Sequence, residues 1–192
     1  MDRQAAWELL CEFTKTEPLR KHALAVEAAM RAYARRYGGE EERWGIVGLL
    51  HDFDYEVHPN AGEHPVKGAE ILRQRGVAED IVYAVLCHAD YLGLERRTLM
   101  DRAIYAVDEL TGFVIAVALV RPNKSIDEVD VAAVRKKMKD KGFARAVNRE
   151  DIVKGADQLG VDLDEHIAFV IDSLKAVAEE LGIAGRSPQQ GN

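Results

Sequence analysis

Residues 44–54 read WGIVGLLHDFD, and the rest of the chain is organised around them. Trp44, Ile46, Val47, Leu49 and Leu50 make an apolar helical run that ends abruptly in His51-Asp52. Val47 and Gly48 lie one turn before His51, and Gly48 and Leu49 one turn before Asp52. Both polar groups therefore leave the inner face of a helix, where a carboxylate without a partner costs several kcal/mol. A bound cation would offset that cost. The remaining sequence then has to supply further ligands.

No period-two pattern survives for more than a few residues, whereas helical periodicity recurs along the chain, so an all-α bundle is expected. Upstream, a first helix is predicted from Asp2 to Phe13. Pro18 suits the first turn of a second helix, to Tyr37, whose inner stripe holds Leu19, His22, Val26, Ala29 and Tyr33. Gly38-Gly39 ends it, and the helix of the opening stretch runs from Glu40 to His51. Residues 52–63 read as loop, with Pro59, Asn60 and Gly62 as breakers. Pro65 then suits the first helical position, which puts His64 at the cap, at the mouth of its helix. A short helix over residues 78–90 carries His88 on the apolar side, beyond Ile81 and Ala84.

The next helix, Leu99 to Val120, has only Asp108 and Glu109 as charged residues from Ala103 onward. Such a helix is central and buried. Asp108 has Ile104 and Tyr105 behind it and Thr111 and Gly112 ahead, so nothing on its own helix neutralises it. Farther on, Ser125-Ile126-Asp127-Glu128 reads as a capping box opening a helix to Met138. Asn148 and Asp162 cap two more, the last running from Leu163 to Leu181, and their charged faces meet water. Residues 1–184 read as a single domain, with a core over 18–120 and C-terminal helices over 125–181; residues 185–192 read as a disordered tail.

Bulk composition narrows the function. The formal net charge of −7 argues against nucleic acid as the main partner. Cys11 and Cys87 are far apart and lack Cys-x-x-Cys spacing, which suits a reduced, cytoplasmic setting. The N-terminus has no signal-peptide pattern, and the most apolar run, Gly112–Val120, is about half the roughly 18 residues a membrane span needs. The apolar content of the helices leaves room for a homodimer.

Candidate ligands are His22, His51, Asp52, His64, His88 and Asp108. Imidazole with carboxylate suits a divalent metal (Mn, Fe, Ni, Co or Zn), and two distant thiols exclude a structural zinc-thiolate site. Each residue alone has a plain alternative: a hydrogen-bonded core histidine, a helix cap, an aspartate bonded to a backbone amide. Together they occupy inner or cap positions of five consecutive elements. The second half of the chain adds only His166, and His58 reads as solvent-facing. Asp54 and Glu109 read either as outer groups of the same cluster or as loop and surface residues.

His22, the adjacent His51-Asp52 and Asp108 in YAVDELTGF resemble the four-residue signature of the HD-domain superfamily of metal-dependent phosphohydrolases, over roughly Pro18 to Val120. His64 and His88 resemble the extra histidines of members that hold two metals, and the small stand-alone HDIG-type hydrolases are the nearest likeness. Phe53-Asp54 replaces the Ile-Gly-Lys of the cyclic-dinucleotide phosphodiesterase branch, and the Glu-Asp pair of the guanosine-tetraphosphate hydrolases is absent.

The resemblance implies one or two divalent ions, magnesium being a further candidate. His22, His51, Asp52 and Asp108 would hold the first, and His64 and His88 the second, with Asp52 bridging as the central catalytic ligand. It implies water activated by the metal and a small phosphorylated substrate such as a nucleotide. Lys67, one turn beyond His64, is the first candidate for a catalytic, substrate-binding cation, followed by Arg121 and Lys124. A nucleotide-sensing module without turnover is the alternative. A metal-free helical interaction protein and an iron-dependent oxygenase are more distant ones.

Overall fold

In the computed structural model the opening stretch forms α3, Glu41–Leu50, and every residue from Trp44 to Leu50 is buried. It lies against α2, Glu17–Tyr37, whose Ala25, Val26, Ala29, Met30 and Tyr33 are also buried. The two backbones meet at Gly48, where an added Cβ would lie 2.8 Å from both Cα and N of Glu27. No other residue fits there without pushing the helices apart. That approach carries His51, just beyond α3, to His22 on α2. Glu27 itself is buried, and its carboxylate accepts from Arg3 Nε at 2.7 Å and from Arg31 Nε at 2.9 Å.

Residues 1–185 are described; apart from Gly185, the tail expected to be disordered lies outside them. Among the described residues there are ten α-helices and no strand. α1, Arg3–Phe13, starts at Asp2, whose side chain accepts from Ala5 N. α4, Val66–Gln74, and α5, Glu79–Cys87, follow α3. α6, Leu99–Leu119, is the central helix, and α2, α5, α7, α8 and α9 all contact it. The chain finishes with α7, Val131–Met138; α8, Arg149–Leu159; α9, Leu163–Lys175; and α10, Ala178–Leu181. One contiguous apolar core extends from Ala6 to Ile183. No helix among the described residues is long and apolar enough to cross a membrane.

Three local expectations are corrected. α4 begins at Val66 with Pro65 as its cap, and His64 is buried instead of sitting at the helix mouth, because its ring is drawn inward onto Asp54. The Ser125 box opens only a 3-10 turn, Ile126–Glu128, and α7 starts later, capped by Asp130. Ile126 N is taken by Ile183 O at 2.8 Å, so the backbone there is engaged with the end of the chain before a helix can propagate. The last predicted helix breaks at Ala176-Val177, which turns Ala178, Leu181 and Ile183 into the core beside α2.

Candidate metal centre

His22, His51 and Asp108 form one triad whose ligand atoms all lie within 4.8 Å of one another, and Asp52, His64 and His88 form a second. In the first, His22 Nε2 stands 3.0 Å from Asp108 Oδ1 and 3.2 Å from His51 Nε2, and His51 Nε2 is 3.4 Å from Asp108 Oδ1. In the second, His64 Nε2 and His88 Nε2 are 3.1 Å apart, at 3.1 and 3.3 Å from Asp52 Oδ1. The other oxygen of Asp52, Oδ2, turns to the first triad, 3.5 Å from His51 Nε2 and 4.0 Å from His22 Nε2. Asp52 thus stands between the triads, one oxygen toward each.

The outer nitrogens decide where the protons are. His51 Nδ1 donates to the Gly48 carbonyl at 2.7 Å, and His88 Nδ1 to the Val85 carbonyl at 2.6 Å. Carbonyls only accept, so in the neutral rings each Nε2 carries a lone pair. His64 Nδ1 donates to Asp54 Oδ1 at 2.8 Å. The Nε2 lone pairs of His64 and His88 consequently face each other across 3.1 Å. Two lone pairs cannot bond to each other; a proton or a metal ion has to lie among them. Donation of the outer N–H to a carbonyl or carboxylate is the arrangement that orients metal-ligating histidines and raises their basicity. The donor set therefore fits divalent cations.

The electrostatics point the same way. Burial pushes the His51 imidazole down, but the charges of Asp52 and Asp108 outweigh it and hold it well above its ordinary range. His64 is likewise raised to about 9 by Asp52 and Asp54 against the cost of burial. Burial would raise Asp52 and Asp108, but His51, together with His64 and His88 at Asp52 and His22 at Asp108, holds both carboxyls low. Glu109, beside Asp108, is pushed up to about 7 by burial and by the Asp108 charge, and its Oε2 accepts from Asn148 N at 3.2 Å.

Behind the second triad, Asp54 is fully buried and also accepts from Gly68 N at 2.9 Å. An added Cβ at Gly68 would come within 2.7 Å of the Asp54 carboxylate, so glycine is required for the contact. The loop carrying Asp52 and Asp54 is pinned by Thr14 Oγ1, which donates to Phe53 O at 2.9 Å, and by Glu56, which accepts from the backbone N–H groups of Lys15 and Thr16. Asp54 falls on the outer-group side of its two sequence alternatives; Gly68 was missed, its only signal being a glycine in the first turn of α4.

The two triads open into a cleft of ≈ 720 Å³ walled by Tyr55, Tyr91, Tyr105, Glu109, Asn148 and Asp151. Five carboxylates line it (Asp52, Asp90, Asp108, Glu109 and Asp151), and among the described residues no lysine or arginine does. Lys67 is exposed and paired with Glu70 at 3.0 Å, outside this lining. Arg121 and Lys124 follow the end of α6, about 16 Å along the helix from Asp108. None of the three cations expected to bind phosphate faces the cleft. His58 is half-buried in the loop, outside the cleft, and His166 is in the core, between the Tyr33 hydroxyl and Ala106 O.

An all-α bundle that brings His22, His51-Asp52 and Asp108 together is the pattern of an HD domain. Residues 19–112 match the family model described as HD domain, so the chain carries such a domain over that span, one of a superfamily of metal-dependent phosphohydrolases. All six candidate ligands fall inside the matched span.

Among curated relatives, Ribonuclease Y of Oleidesulfovibrio alaskensis is 29% identical over 93 residues, which is 48% of this chain and 18% of that protein. Ribonuclease Y of Parafrankia sp. is 28% identical over 142 residues, 72% of this chain and 26% of that protein. Ribonuclease Y of Nitratidesulfovibrio vulgaris is 29% identical over 93 residues, again 48% and 18%. The chain spans about a quarter or less of the length of these relatives. No solved structure matches it.

Proposed function

We propose that this chain hydrolyses a small phosphate ester with the help of two divalent ions, one held by His22, His51 and Asp108 and the other by His64 and His88, with Asp52 shared between them. The observation that carries this reading is the placement of Asp52, one carboxylate oxygen toward each triad, amid Nε2 atoms that face one another while the outer nitrogens of His51, His64 and His88 are engaged elsewhere. Bound there, the ions would supply Lewis acidity, lowering the pKa of water toward neutrality and offsetting negative charge on phosphoryl oxygens.

The chain does the rest. Gly48 O, Val85 O and Asp54 hold the His51, His88 and His64 rings with their Nε2 atoms inward. Tyr55 and Tyr91 stand at the rim, the Tyr91 hydroxyl donating to His64 O at 2.7 Å. The N-terminal end of α8, at Val147-Asn148, turns its partial positive charge to the same cleft. In the reaction, water oxygen bonds to phosphorus, the phosphorus–oxygen bond to the alcohol breaks, and the alcohol leaves with a proton.

Acidic lining sets the substrate's size. Cations that track a nucleic-acid backbone are what a polyanion needs, and here Arg96 and Lys154, outside the lining, are both taken by Asp90, at 3.1 and 2.7 Å. A single phosphate, met by the ions, suits this cleft better than RNA, although the curated relatives are named ribonucleases.

Elemental analysis of untagged protein tests the proposal, followed by phosphate release from mononucleotides, sugar phosphates and short RNA with Mn, Co, Ni, Fe, Zn and Mg. Two metal equivalents are expected, with Asp52→Ala losing both ions and all turnover. An Asp52→Ala protein that keeps stoichiometric metal and full activity would overturn the assignment. Binding of a nucleotide without phosphate release would favour a sensing module, and cleavage of RNA alone would transfer the relatives' activity to this chain.

A further inference from the structure

The acidic cleft does not end at the first triad. His22 and Gly112 line it and also line a second hollow of ≈ 540 Å³ on the other side, between α2, α6 and α10. This second hollow is walled mainly by Pro18, Ile115, Ala116, Leu119 and Leu181, with the ion pair Glu17–Lys21 at its edge. Leu119 is 45% exposed and its neighbour Val120 is 56% exposed, so apolar surface continues to the outside.

Gly112 is the saddle between the two spaces. A Cβ there would rest 3.8 Å from His22 Nδ1 and 3.9 Å from Cε1, which is ordinary contact, so packing does not require glycine. What glycine provides is open space beside the ring. His22 is also the one histidine of the two triads whose Nδ1 has no hydrogen-bond partner among the described residues, and that nitrogen faces the gap.

We propose that the groove past Gly112 is the subsite for the organic part of the substrate, and that the substrate is a phosphate monoester of an apolar alcohol. The inference rests on the phosphohydrolase reading and deepens it. A phosphate at the triads would point its ester group over Gly112 into an apolar trough, with His22 Nδ1–H free to donate to an oxygen at the junction. That no lysine or arginine among the described residues lines the acidic cleft agrees, since such a substrate brings one charged group and no polyanion.

The test compares octylphosphonate with methylphosphonate, both resistant to hydrolysis, by calorimetry on metal-loaded and metal-free protein. Each buried methylene is worth about fourfold in affinity, so octylphosphonate should bind the metal-loaded protein at least about tenfold more tightly than methylphosphonate. Ala116→Phe, which fills the trough, and Leu119→Lys, at an exposed position that tolerates the change, should each bring the two ligands to within about threefold of one another. Equal affinity in the unsubstituted protein, or a preference that survives both substitutions, overturns the groove. Failure of the underlying reading looks different: the alkyl preference and its loss in both variants would persist while metal uptake or hydrolysis of any phosphate ester is absent.

Discussion

Gly68→Ala tests the outer support of the centre with the smallest available change. The new methyl carbon would lie 2.7 Å from Cγ and Oδ1 of Asp54 and 2.9 Å from Oδ2, against the roughly 3.5 Å of an unstrained contact. Asp54 is fully buried, held by Gly68 N at 2.9 Å and by His64 Nδ1 at 2.8 Å, so it cannot swing into solvent. It has to shift by several tenths of an ångström, and His64 loses its anchor. Disturbing such a support costs about 10–100-fold in metal affinity, or about 1.4–2.7 kcal/mol, and the overpacking itself costs about 1–3 kcal/mol of stability.

Equilibrium dialysis with elemental analysis should show the second ion weakened by that factor, with the ion of the His22, His51 and Asp108 triad still tightly held. The decisive comparison places the same change in an Asp54→Ala background, where the space is already vacated. There Gly68→Ala should add almost nothing to the loss already caused by Asp54→Ala, the non-additivity of residues in contact. Two unweakened ions in the single variant would refute the reasoning, as would an equal further loss in the Asp54→Ala background.

Metal uptake should release protons, because His64 is raised to about 9 and so carries a proton at pH 7.5 in the metal-free protein, and His51 is held well above its ordinary value by Asp52 and Asp108. Calorimetry in buffers of different ionisation enthalpy should find proton release on full loading, with affinity weakening as pH falls. His166 acts on stability: burial depresses it to about 4, so between pH 6.5 and 4 the unfolded chain binds a proton that the folded one does not. Stability should fall with pH across that window, by up to about 3 kcal/mol, and in denaturant titrations His166→Gln should flatten the slope. Lys67→Ala should leave KM within about twofold, since its ammonium is engaged with Glu70 outside the cleft; a tenfold rise would restore the phosphate-binding role read from sequence.

The helical character of the chain and the inward direction of His22, His51, Asp52, His88 and Asp108 were legible in the sequence. They follow from periodicity, which assigns a side chain to a face of its own helix. Isolated Asp108 on an apolar helix was equally legible, since a buried carboxylate without a local partner demands one from elsewhere. Periodicity does not say which helix lies opposite. The approach of α2 and α3 at Gly48, the split of the two Asp52 oxygens and the Gly68–Asp54–His64 chain all depend on contacts between segments distant in sequence. The cations show the same limit in reverse: Lys67 lies one turn from His64 in sequence, yet its long side chain turns to Glu70 on the surface. Ligand types and helix faces are local properties of the chain; which lone pairs end up facing one another, and which charges line the cleft, is settled only when the helices pack.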